Sequence, residues 1–159
     1  MRAHKPHRTT YQSMNIKEQL GDEWIPHIYA AKVRTQRTRA VLLEIAEREN
    51  EAEIFYTLLG IELKTGSRRI ACPDLATARY LRVFVRLGCQ RIAVPYDITK
   101  ISVLADELET AWQKTILLAA EDSPRRRTLL VKLMRTEISE AGAGEAIPEF
   151  KQSTKQRRT

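Results

Sequence analysis

The sequence predicts a mixed α/β fold, and three observations carry this prediction. Short apolar runs rich in β-favouring residues lie in the middle of the chain, amphipathic segments with helical spacing surround them, and turn residues separate the two. We expect a small sandwich in which a β-hairpin leads into a βαβα unit, with one helix before it and one after it. The length of 159 residues fits a single α/β domain over residues 21–142. Residues 1–20 and 143–159 are polar and basic, which predicts disordered tails.

The first elements follow from proline, glycine and apolar spacing. Pro26 suits the first turn of a helix, which we expect to continue toward Asn50. From Glu53 the pattern changes to β. Residues 54–63 and 68–72 predict two strands, joined by turn residues at 64–67 into a hairpin.

Three further helices are predicted from their end signals. Asp74 is a good N-cap for a helix that ends at Gly88, Asp97 caps the next one, and Ser123 precedes the last. Residues 69–74 and 91–97 repeat one pattern, in which Arg-Ile-Ala opens a short strand that proline ends before an aspartate. Two successive βα units predict parallel strands joined by a right-handed crossover.

The charge is unevenly distributed. The chain has 27 basic and 20 acidic side chains, a net charge of +7, yet residues 51–121 carry nine of each. Within that neutral part, residues 64–91 carry seven basic side chains against Asp74 alone. Arginines outnumber lysines by 18 to 9, and the planar guanidinium suits phosphate better than an ammonium group does. The distribution indicates an anionic polymer as the partner.

Arg79, Arg82 and Arg86 lie on one face of the predicted helix 75–87. Neither Arg82 nor Arg86 has an acidic neighbour four residues away, so ion pairs within the helix do not account for this arginine stripe. The alternative is a solvated face whose arginines pair with carboxylates elsewhere. Arginines at the first residues of the neighbouring predicted strands extend this stripe, and so do arginines in the basic segments before and after the central part of the chain. The predicted nucleic-acid-binding residues are Arg34, Arg37, Arg68, Arg69, Arg79, Arg82, Arg86, Arg91, Arg125, Arg126 and Arg127, and Arg39 belongs to the same flank as the first two.

The leading hypothesis is a non-enzymatic protein that binds the phosphate backbone of RNA or DNA. The second is an interaction or assembly factor, a homo-oligomer included, that docks through the amphipathic helices predicted at 99–120 and 124–141. No apolar run is long enough to span a membrane and the first residues lack a secretory signal, so we expect a cytoplasmic protein without a membrane partner. We predict no cofactor and no metal ion. Cys72 and Cys89 lie at opposite ends of a predicted helix, roughly 20 Å apart, which predicts free thiols.

A third hypothesis comes from Glu62 and Lys64, an E-x-K pattern on a predicted strand. With the elements around it, over residues 30–97, this pattern resembles the metal-binding half-motif of the PD-(D/E)xK nuclease family. The resemblance implies that Glu62 would hold a divalent cation and that Lys64 would orient or activate the attacking water. The family also uses an acidic residue on the preceding strand, where only Glu51 and Glu53 are available. The candidate catalytic residues are therefore Glu53, Glu62 and Lys64.

Overall fold

Helices and strands both form in the described part of the chain, residues 15–144 of a computed structural model, which confirms the mixed α/β class. The predicted tails lie outside these residues, except for residues 15–20 and 143–144. Residues 15–20 are helical instead of disordered. Ile16 and Leu20 are buried there, and their spacing of four residues places both on the same side of the helix.

The predicted helix from Pro26 to Asn50 is wrong beyond its first turns. Helix α1 (Ile25–Ile28) starts as predicted, with proline in its first turn, and continues into a π-helical turn (Tyr29–Val33). The chain then forms strand β1 (Thr38–Leu42). This strand pairs antiparallel with a strand far along the sequence, and that pairing overrides the local helical pattern.

A three-stranded antiparallel sheet follows, made of β2 (Glu53–Thr57), β3 (Gly60–Thr65) and β4 (Arg68–Cys72). The hairpin predicted at 64–67 is confirmed between β3 and β4. The single strand predicted at 54–63 is wrong, because a turn at Leu58 and Leu59 divides it into β2 and β3. The sheet packs one face against the helix that follows it.

The remaining elements begin and end close to the predicted residues. They are α2 (Leu75–Leu87), β5 (Arg91–Pro95), α3 (Ile98–Leu118) and α4 (Pro124–Ala141). Both predicted N-caps are confirmed, since the side chains of Asp74 and Asp97 accept backbone hydrogen bonds in the first turns of their helices, and Ser123 caps α4 in the same way. Among the helices of residues 15–144, none has the length and apolar character needed to cross a membrane.

The predicted parallel crossover is wrong, because β4 and β5 belong to different sheets. Strand β5 pairs antiparallel with β1 on one edge, with Ala40 opposite Ala93. On its other edge, side chains satisfy the backbone of Ala93. Tyr29 Oη accepts from the Ala93 amide at 2.8 Å, and the Tyr80 hydroxyl donates to the Ala93 carbonyl at 2.7 Å. These hydroxyls take the place of a neighbouring strand.

Helix α2 lies at the centre of the apolar core, between the three-stranded sheet and α3. Tyr80 and Phe84 of α2 stack with their ring centroids 5.0 Å apart, and Phe84 meets Tyr29 edge-on at 5.5 Å. Cys72 and Cys89 are buried free thiols, as predicted.

Gly88 ends α2 in a conformation that only glycine adopts without strain. Its φ is 79°, and the bonds from Cys89 N to Phe84 O and from Gly88 N to Val85 O form a Schellman motif. The loop between β1 and β2 crosses this helix end so closely that a Cβ on Gly88 would lie 2.2 Å from the Arg48 carbonyl oxygen.

We expect Gly88→Ala to lower the free energy of unfolding by about 2 to 5 kcal/mol, because left-handed strain adds to a backbone clash. Gly66→Ala is the matched control, since Gly66 also has positive φ (60°) but has no atom within 4 Å of the Cβ position. It should cost only about 1 to 2 kcal/mol in urea denaturation. Equal losses in the two variants would contradict the close approach at Arg48.

We expect Tyr29→Phe to lower the free energy of unfolding by about 1 to 3 kcal/mol, because it leaves the buried Ala93 amide without an acceptor. The same hydroxyl also donates to Gly142 O at 2.8 Å. Tyr56→Phe is the control, because Tyr56 is exposed, and its effect should stay within about 0.5 kcal/mol. Indistinguishable urea transitions for the two variants would show that the Tyr29 hydroxyl does not support β5.

Candidate nucleic-acid interface

The arginine stripe of α2 lies against α3. Arg79 donates to Glu109 Oε1 from Nε at 3.1 Å and from Nη2 at 2.6 Å, and it also pairs with Asp106. Arg82 donates to Glu109 Oε2 at 2.6 Å. These carboxylates are 27 to 30 residues away in sequence, so they are not among the helix neighbours four residues from each arginine. Two of the three stripe arginines therefore join α2 to α3.

The ionisation of this cluster follows from its geometry. Burial by itself raises the pKa of Glu109, but hydrogen bonds from Arg79 and Arg82 outweigh it and hold this pKa below its ordinary value. The bonds to Glu109 and Asp106 raise the pKa of Arg79. Glu109 therefore stays ionised well below neutral pH.

Arg86, the third member of the stripe, has no ion-pair partner within residues 15–144. Burial lowers its pKa, and the adjacent charge of Arg82 lowers it further. In the same described region, the buried Nε of Arg82 has no hydrogen-bond partner. The stripe thus combines two neutralised arginines with one that is partly desolvated beside a like charge.

Three further predicted arginines are paired with carboxylates from other elements. Arg127 binds Glu49 with two parallel hydrogen bonds, the geometry that gives a guanidinium its strongest carboxylate contact. The pairs are Arg68 with Glu44 at 2.6 Å, Arg69 with Glu62 at 3.6 Å and Arg127 with Glu49 at 2.6 Å. Arg125 and Arg126 precede Arg127 in the first turn of α4, where Arg125 is exposed and Arg126 half-buried. The domain therefore neutralises much of its own predicted binding set.

A different group of arginines surrounds strand β1, and we call Arg34, Arg37, Arg39 and Arg91 the β1 arginines. In the described part of the chain, no carboxylate lies within ion-pair distance of any of them. Arg34 Nε donates to Ala141 O at 3.1 Å, and Arg91 Nη2 donates to Gly144 O at 2.7 Å. Both cations therefore lie at the carboxyl end of α4, where the helix dipole favours positive charge.

Arg37 lies just before β1 and Arg39 lies within it, and both side chains are exposed. Tyr96 lies next to them, since its backbone amide donates to Arg37 O at 3.3 Å, and its side chain is half-exposed. A surface cleft of about 680 Å³ adjoins this group, lined by Thr35, Gln36, Arg37, Tyr96, Asp97 and Lys100. The described residues thus include guanidinium groups without a carboxylate partner next to a half-exposed aromatic ring.

The predicted catalytic residues share the outer face of the three-stranded sheet. Glu53 lies directly opposite Lys64, and Glu62 lies two residues before Lys64 on β3. Glu62 pairs with Arg69, while Lys64 lies 5.9 Å from the centre of the Phe55 ring. No cluster of three or more metal-ligating side chains is found within the described range. The geometry surrounds these carboxylates with cations.

The apolar faces of the two long helices are already used by the domain. In α3, Leu104 and Leu108 are buried, as are Leu130 and Met134 in α4. These faces pack into the common core, so a partner that docks on either helix would contact its other face.

The positive charge of the whole chain lies mainly outside the described residues. Residues 15–144 carry 20 basic and 18 acidic side chains, whereas the remaining residues carry seven and two. The described region is therefore close to neutral. Its attraction for an anion would depend on the few cations that lack a carboxylate partner there, and its net charge would contribute little.

No family model, curated protein or solved structure matches this chain. The resemblance to PD-(D/E)xK nucleases therefore rests on Glu53, Glu62 and Lys64 and the elements around them. Conclusions about function depend on the arrangement of the side chains and their surroundings.

We expect the Glu109 ion pairs to make stability depend on pH. Because folding lowers the pKa of Glu109, its stabilisation is complete above its ordinary value of about 4.5 and is lost as pH falls through the lowered one. The difference in unfolding free energy between the wild type and Glu109→Gln should therefore shrink between about pH 6 and pH 3. Glu121→Gln, an exposed control in the turn before α4, should show a constant difference. Parallel urea-denaturation profiles for the two variants would contradict this role of Glu109.

Proposed function

We propose that this protein binds the phosphate backbone of a nucleic acid without enzymatic turnover, and that the β1 arginines form the contact surface. One observation carries the proposal: these four guanidinium groups have no carboxylate partner within the described residues, whereas Arg79 and Arg82 share Glu109. A phosphate can supply the missing anion. Such contacts give affinity and position without reading the base sequence.

The β1 arginines differ in how firmly they are held. Arg34 and Arg91 are fixed by carbonyl groups at the end of α4, which leaves other N–H groups of each guanidinium for a ligand. Arg37 and Arg39 have no such bonds to other residues of 15–144 and lie about 6.8 Å apart along the chain direction. A fixed pair and an adaptable pair together suit an irregular phosphate backbone better than a small rigid anion.

Tyr96 and the sequence after Gly144 add to this surface. An exposed aromatic ring beside arginines can stack on a base, which favours single-stranded over fully paired nucleic acid. Beyond Gly144, whose carbonyl binds Arg91, the sequence adds Lys151, Lys155, Arg157 and Arg158. A cytoplasmic location is part of the proposal and is supported by the buried free thiols.

We expect the double variant Arg37→Gln/Arg39→Gln to weaken binding to a single-stranded oligonucleotide and to lower the salt slope of log affinity by about 1.4, or about 0.7 per lost phosphate contact. Fluorescence anisotropy across a range of salt concentrations measures both quantities. Arg68→Gln/Arg69→Gln is the charge-matched control, because Glu44 and Glu62 already pair with these arginines. It should leave the slope nearly unchanged.

Equal slopes for the two double variants would contradict the assignment to the β1 arginines, and affinity that does not depend on salt would contradict phosphate binding altogether. Parallel titrations with RNA, single-stranded DNA and duplex DNA identify the preferred polymer. Incubation with Mg²⁺ or Mn²⁺ tests turnover in the same mixtures. Cleavage that Glu62→Ala or Lys64→Ala abolishes would replace the binding function with the nuclease hypothesis.

A further inference from the structure

The three-stranded sheet has an open edge at β2. Within the described residues this strand pairs with β3 alone, so its second edge presents unpaired backbone groups. Large apolar side chains are exposed along the strand and its turn. Phe55 is 42% and Tyr56 72% exposed, while Leu58 and Leu59 are fully exposed. An edge of this composition is one that folded proteins normally protect.

The turn holds its two leucines in an ordered conformation. The Thr57 hydroxyl donates to Gly60 O at 3.0 Å and accepts from the Leu59 amide at 3.2 Å. Leu58 and Leu59 are therefore exposed at the tip of a hydrogen-bonded hairpin.

The usual features that protect an edge strand are missing from its sequence. Residues 54–61 contain no charged residue and no proline, and only Glu53 places a charge on β2. An uncharged edge with β-favouring residues is a template for another strand. The chemistry that fits it is a second uncharged, apolar edge strand.

We infer that the β2 edge binds the β2 edge of a second copy of this chain, in an antiparallel pair around a two-fold axis. Pairing centred on Phe55 stays within the strand and sets Ile54 opposite Tyr56 of the second copy. It also sets Glu53 opposite Thr57, so no like charges meet. The two β2 strands then join two three-stranded sheets into one six-stranded sheet.

The available area fits a small interface. The four exposed side chains present on the order of 500 Å² per copy, so two copies approach, if fully covered, the total of about 1,000 Å² at which specific interfaces begin. A symmetric interface also needs only one self-complementary surface per chain. This area is below the range of stable interfaces and predicts a weak dimer.

The charges near this edge argue against other occupants. Residues 51–61 contain Glu51 and Glu53 and no basic residue, and Lys64 of β3, the cation beside Phe55, lies opposite Glu53. Anionic lipid surfaces and nucleic acids both rely on lysine and arginine for their attraction. The inference is thus independent of the proposed phosphate surface.

The test is sedimentation equilibrium of the full chain between about 1 and 100 μM, after nuclease treatment. The wild type should form a dimer, and Leu58→Glu should raise its dissociation constant at least tenfold, because a carboxylate replaces an apolar contact on both copies. Leu59→Glu should act in the same way. Leu117→Glu is the matched control, since Leu117 is 74% exposed on α3, and it should leave the dimer unchanged.

A wild type that stays monomeric over this range would overturn the inference, and so would equal effects of Leu58→Glu and Leu117→Glu. A full chain that is monomeric but dimerises when residues 1–14 are removed would also overturn it, by assigning the β2 edge to that segment. The salt slope of oligonucleotide binding measured on Leu58→Glu keeps the two proposals separate, because that variant should retain the wild-type slope.

Discussion

The arrangement of the domain depends on how the second edge of strand β5 is satisfied. Tyr29 and Tyr80 supply an acceptor and a donor to the backbone of Ala93, and Tyr29 also reaches Gly142 at the end of α4. One hydroxyl therefore joins three segments distant in sequence. Burial raises the pKa of both tyrosines, so both remain protonated across the neutral range. With these bonds, a two-stranded sheet can lie inside the core without an unpaired buried amide.

The second constraint is electrostatic. A domain with many arginines must either expose them or provide carboxylates, and here the carboxylates come from other elements of the fold. Glu109 divides its two oxygens between Arg79 and Arg82, so the most regular arginine pattern in the sequence has a structural role. The less regular β1 arginines are the ones without a carboxylate partner among residues 15–144. Regular spacing on a helix therefore indicates a shared face, and the neighbouring elements decide whether that face is free.

Local signals and distant partners explain which predictions succeeded. The N-cap of α2 at Asp74 and its end at Gly88 depend on residues within one turn of each, so the sequence around them is sufficient. Strand β1 depends on its pairing with β5, which begins 49 positions after β1 ends. No local sequence pattern identifies so distant a partner. The alternative that the stripe arginines pair with carboxylates elsewhere holds for Arg79 and Arg82, but no local pattern names Glu109 as the partner, since it lies 30 residues from Arg79. The pattern predicts Leu58 and Leu59 as strand residues, because apolar residues in a turn are uncommon.

The distance in sequence between β1 and β5 has a consequence for the order of folding. The three-stranded sheet and α2 form through contacts between neighbours in sequence, whereas β1 can pair only after the intervening chain has closed into a long loop. We therefore expect β1 to join last, over a nucleus in which α2 and its sheet are already assembled. The arginines around β1 would then be brought together only in the final step, which couples assembly of the proposed phosphate surface to completion of the fold.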